Sequence, residues 1–177
     1  MALVPMTMVR SLSPLALLAL TACGGTVDFS ISRTLDVDTD VNSGQVSDSY
    51  DLSTEAGNAW SERSHIDSVS VRGASATVTA VGPNNQAQTE SGTVWLLPDG
   101  VTDVSDPRAV EAGSWNDQPV TVGHVVTLTP SPRLDDLVTS ALRGSGRLGL
   151  VATGDGGGLR LQVTLHVEID LRLKWKP

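Results

Sequence analysis

The sequence predicts a mainly β protein: an antiparallel β-sandwich, jelly-roll-like, in a single domain with one short helix near 132–143. Three observations carry this. The first is the stretch 159–175. Its odd positions are all apolar: Leu159, Leu161, Val163, Leu165, Val167, Ile169, Leu171, Leu173 and Trp175. Its even positions, from Arg160 to Lys174, are all polar or charged. Side chains on a strand alternate between two faces, so this stretch is a strand with one dry and one wet face. The second is a series of shorter strand-like runs separated by Gly, Pro and Asn turns. The third is that a clear helical stripe occurs once.

Composition agrees with a packed domain. Apolar residues make up 40% of the 177, but aromatics only 3%. The core is therefore to be built from Val, Leu, Ile and Ala. The formal charge of −8 repels phosphate backbones, so nucleic acid is not expected as a partner. A single cysteine excludes an intramolecular disulfide.

The elements follow in order. Val27, Phe29 and Ile31, then Leu35 and Val37, predict a first strand with a phase slip near Arg33-Thr34. Residues 42–51 are polar and read as a loop. Leu52, Ala56 and Trp60 fall at i, i+4 and i+8, which suggests a short helix. Ile66 to Val81 reads as a strand with a kink at Gly73. Gly82-Pro83-Asn84-Asn85 is a turn. Thr93 to Leu97 is a short buried strand, and Pro98-Asp99-Gly100 another turn. Residues 101–118 hold many Asp, Gly and Pro residues and look irregular. Val120 to Thr129 is strand-like in its Val and Thr content.

The helix comes next. Ser131 suits the N-cap and Pro132 the first turn. Leu134, Leu137, Val138, Ala141 and Leu142 form an apolar stripe. Asp135 and Asp136 lie near the positive end of the dipole, Arg143 lies at the negative end, and Gly144 ends the helix. Arg147 to Thr153 is a strand. The glycine-rich run 154–158 is a hairpin loop into the last strand, which at about 3.3 Å per residue would reach roughly 55 Å. A strand of that length is expected to bend, to carry a bulge or to serve two sheets. A closed barrel is the alternative to the sandwich.

The N-terminus reads as an address. Arg10 precedes an apolar run from Leu12 to Leu20, too short to span a bilayer. Leu20-Thr21-Ala22-Cys23 follows, then Gly24-Gly25. This segment resembles the lipobox of bacterial lipoproteins. The resemblance implies a signal peptide over 1–22, cut before Cys23, and diacylglycerol on the Cys23 sulfur. Residues 23–26 would be a lipidated tether and 27–177 the sandwich domain. It also implies a bacterial cell-envelope location, at the outer membrane, since Gly24 and not Asp follows the cysteine.

Motifs for chemistry are sparse. Asp36, Asp38, Asp40 and Asn42 hint at an EF-hand loop, but Val41 stands where Gly makes the turn and Ser47 where Glu supplies two oxygens. They read as a solvated face, with a calcium site as the sharper alternative. Gly144-Ser145-Gly146-Arg147-Leu148-Gly149 matches G-x-G-x-x-G, yet a helix precedes it and a strand follows, the reverse of a dinucleotide site. His65, His124 and His166 are far apart, and no catalytic constellation, metal site or cofactor is expected. Trp115 lies in the irregular stretch, as a plug for the sandwich end or an anchor for a protein or glycan partner. Trp175 reads as the end of the dry face. Together these residues predict a non-enzymatic cell-envelope lipoprotein, a binding or structural module whose partner is a membrane through lipid on Cys23. The alternative is a lipoprotein binding glycan, lipid or calcium in its loops.

Overall fold

A computed structural model of the chain describes residues 25–176. The expected signal segment and Cys23 lie outside the described residues. Eight strands form two antiparallel four-stranded sheets. They are β1 (Thr26–Asp38), β2 (Gln45–Asp51), β3 (Ile66–Val81), β4 (Thr89–Pro98), β5 (Val110–Pro119), β6 (Val125–Leu128), β7 (Arg147–Asp155) and β8 (Gln162–Trp175). The first sheet has the order β1-β8-β3-β6 and the second β2-β7-β4-β5. Consecutive strands mostly alternate between the sheets, which is the jelly-roll arrangement expected from the sequence.

β8 is the axis of the first sheet. Its odd residues from Val163 to Leu173 are at most 2% exposed, and Trp175 is 4% exposed. It pairs with β1 without a break from Thr26↔Lys174 to Asp38↔Gln162. On its other side it pairs with β3, with register shifts at three places in β3, one of them between Val71 and Gly73. The expected irregularity thus sits in the neighbour, where Gly73 marks it, and β8 keeps an unbroken register with β1. The strand starts three residues later than its alternation suggests, and Leu159 lies exposed in the loop.

The continuous β1 register also removes the expected phase slip. Arg33 occupies an inward position of the same parity as Ile31 and Leu35. Its guanidinium lies 4.6 Å from the centroid of the Tyr50 ring and bonds the Glu55 carboxylate and the Ser49 carbonyl. The inward arginine is satisfied because it sits at a sheet edge, beside β2.

β2 and β5 were not expected as strands. β2 covers the second half of the predicted loop 42–51, and β5 lies within the stretch read as irregular. β5 is an edge strand, broken by register shifts against β4 and by left-handed Asp117. Gly113 lies where a Cβ would run into Leu128. Glycine and aspartate there serve a close approach and a bulge, which read as loop in sequence. The segment after β2 forms two single turns, α1 (Leu52–Glu55) and α2 (Asn58–Ser61), in place of one short helix. Gly57, at φ 51°, divides them.

The predicted helix is present as α3 (Arg133–Arg143), with its five stripe residues buried. Its polar side has a structural task. β6 pairs only with Ala74 to Thr77 of β3, leaving the earlier part of that edge open. There the Asp135 carboxylate accepts from the Val71 N–H at 2.8 Å, and the Thr139 hydroxyl accepts from the Val69 N–H at 3.1 Å. Arg143 donates to the carbonyls of Ile66 and Asp67. Four helical residues rise about 6.0 Å and two strand residues about 6.7 Å, so positions 135, 139 and 143 step along the strand in near register. The helix thus substitutes for a missing strand partner.

Removing either acceptor exposes this rung. Asp135→Ala and Thr139→Ala are each expected to lower stability by about 1–2 kcal/mol in chemical denaturation. Amide exchange at Val71 or Val69 should quicken selectively, whereas Asp135→Asn, which keeps an acceptor oxygen, should retain most of the protection.

Candidate functional site at the loop end

The loops β1–β2, β3–β4, β5–β6 and β7–β8 meet at one end of the sandwich. The polar residues singled out in the sequence converge there, but on one another. Asp38 is 9% exposed. It accepts from Arg160 at 2.8 Å and from the Gln162 amide at 2.9 Å. Asp40 pairs with the same guanidinium at 3.0 Å. Asp36 accepts from the Thr164 hydroxyl at 2.7 Å. The Asn42 side chain accepts from the backbone N–H of Asp38 and of Gly44, closing the β1–β2 turn. Across the gap, the Asn85 amide oxygen accepts from the Gln162 N–H at 3.0 Å.

The electrostatics follow from these contacts. The hydrogen bond from Arg160 holds the Asp38 carboxyl below the usual carboxylate range, and Asp38 in turn raises the guanidinium. One arginine thus bridges two carboxylates of the acidic run. The run carries its charge to the turn, but Asp38 faces Arg160 and Gln162 instead of a shared centre with Asp36. Among the described residues no group of three His, Cys, Asp or Glu side chains is placed to hold a metal ion. Beside the network opens a polar crevice of about 530 Å³, lined by Asp40, Asn84, Asn85, Gln86, Gly158 and Arg160.

Trp115 is placed differently from a solvent-facing anchor. It lies in β5, 7% exposed, its ring over Gly92 where any Cβ would collide with it. It is packed into the core cluster. Sequence reasoning missed Glu90, which is 2% exposed with Oε2 buried and lacking a protein partner. Burial alone pushes its carboxyl up to about 7. The signal for it was faint: a single Glu at an inward β4 position, opposite the register shift in β5.

The histidines remain apart. His124 lies 3.2 Å from Gln118 Oε1, His166 is 3.4 Å from the Thr34 hydroxyl on the wet face, and His65 is exposed. Gly144 caps α3, and Gly146, at φ 77°, makes the turn into β7. The G-x-G-x-x-G match is a helix end. A second hollow, about 340 Å³, lies on the outer face of the second sheet between Ser47, Ser49, Leu97, Val101 and Gly149. No helix among the described residues is long and apolar enough to cross a membrane.

No family model matches the chain, and no curated protein matches it. Solved structures do. A decameric BFDV capsid protein aligns over 87% of this chain and 99% of its own, at 12% identity and a TM-score of 0.42. The semi-empty virus-like particle of the Macrobrachium rosenbergii nodavirus aligns over 99% and 93%, at 13% identity and 0.41. Desmodium yellow mottle tymovirus aligns over 85% and 90%, at 9% identity and 0.35. At these values the likeness is one of fold.

These likenesses correct the sequence-based function. A membrane-anchored cell-envelope lipoprotein module was expected, with a membrane held through lipid on Cys23 and an envelope protein or glycan as partners. The three similar structures are viral, and none is an envelope lipoprotein. The expected membrane and glycan partners and the exclusion of nucleic acid find no support among them. The physical reason is one of reach: a four-residue motif concerns the processing of the N-terminus and says nothing of what the folded domain binds.

If the acidic run is a structural clasp, calcium should leave the melting temperature unchanged. Arg160→Ala should lower it, because Asp38 would be left buried without its cation. Since the Asp38 carboxyl is depressed, its share of stability is present above the ordinary aspartate range. That share should fade as pH falls below about 4, and thermal melts in a pH series with and without calcium measure both.

Proposed function

We propose that this chain is a non-enzymatic structural jelly roll that acts through contacts made by its outer faces and loop end. The observation that carries the reading is the apolar interior shared by the two sheets. Side chains of both sheets, among them Leu35, Val94, Leu96, Leu150, Ile169 and Leu171, form one core cluster where a ligand-binding sandwich would keep its ligand. The charged groups support the same reading. Asp38 and Asp40 with Arg160, Asp28 with Arg172, Asp48 and Glu55 with Arg33, and Asp106 with Arg108 form separate ion pairs and are not gathered about a reacting centre. From the sequence alone we also propose that residues 1–22 direct export in a bacterial envelope and are removed before Cys23.

Purified full chain is expected to give no turnover above buffer with ester, glycoside, phosphomonoester and peptide substrates. Saturable turnover that a single loop-end substitution such as Asp38→Asn abolishes would refute the structural role. For export, mass spectrometry of chain recovered from a secreting bacterial host should find a mature N-terminus at Cys23. Retention of residues 1–22 would refute that part.

A further inference from the structure

Among the described residues, the loop end contains one buried ionisable group that the clasp does not use. Glu90 points inward from β4, where the register against β5 shifts, and opposite it stands the uncharged Gln118. Two residues on, Gly92 leaves room for the Trp115 ring. The indole Nε1 of Trp115, like Glu90 Oε2, is buried and has no protein partner. The charged groups on the neighbouring elements are engaged elsewhere or face outward. On β5, Asp117 is exposed; on β7, Asp155 is exposed. From the β7–β8 loop, Arg160 is bound to Asp38 and Asp40. In the β5–β6 turn, His124 meets Gln118. None of these offsets a charge on Glu90, whose only perturbation is burial.

An ionised carboxylate buried without a counter-charge is strongly unfavourable; the neutral acid is tolerated. We propose that Glu90 is a pH-operated latch of the loop end, closed while its carboxyl is protonated. When the proton leaves to solvent, the carboxylate turns toward water and Trp115 loosens from its seat on Gly92. The sign follows from the direction of the perturbation. A carboxyl raised in the folded state favours folding fully below the ordinary glutamate value. That advantage is lost as pH rises from about 4.5 toward about 7. The latch is thus shut in mild acid and released near neutrality.

Amide exchange on the full chain, corrected for the intrinsic effect of pH, tests this. Between pH 5.5 and 8 the amides of Gly92, Trp115 and Gln118 should lose protection by about tenfold or more, while those of β8 keep theirs. Glu90→Gln, which retains the shape and cannot ionise, should abolish the change, and Glu90→Met serves as a second non-ionising variant. The same pH response in wild type and both variants would overturn the latch. So would a loss of protection spread evenly over the chain.

Discussion

The fold depends on one constraint: β8 must bury a long row of apolar side chains on one face while bonding a neighbour along each edge. β1 meets it with an unbroken ladder, and β3 with a ladder interrupted three times. Because β8 is central, its twist and register are imposed on both neighbours. The irregularity falls on β3, where Gly73 and small Ala and Ser residues yield most easily. The second sheet then closes over the apolar row, and its own inward residues complete a single core cluster.

Such a sheet has edges that must be managed. The first 8 residues of β3 extend past the short β6, where unpaired backbone would invite another strand. Helix α3 resolves this twice over. Its apolar stripe packs on the core, and its polar rungs meet the exposed backbone of β3. The near match between four helical and two extended residues is what lets one element do both. At the β1 edge, Arg33 plays a comparable part by turning inward and tying the two sheets together through Tyr50, Glu55 and Ser49.

The loop end shows how similar residue types separate by environment. Asp38 is nearly buried and stays charged because Arg160 and Gln162 reach it. Glu90 is buried farther in, has no such partner, and is therefore favoured as the neutral acid. One site is a clasp and the other an unpartnered acid, and the difference is which donors reach the carboxyl. The acidic run was legible as an acidic run; its use was not, since Arg160 stands more than a hundred residues away in the chain. Trp115 was legible as a plug or an anchor, and its seat over Gly92 was not legible at all.

By itself, the sequence determined what short-range chemistry controls. The alternation of 159–175, the stripe of α3 with its glycine end, the turn at Gly82-Pro83-Asn84-Asn85 and the sandwich class all follow from periods of two and 3.6 and from backbone preferences. Tertiary structure alone decided the pairing order of the strands, the existence of β5, the inward arginine and the partners of each charge. Those depend on segments brought together across the sheets, where a glycine serves contact as well as turning and where a charge is judged by what reaches it.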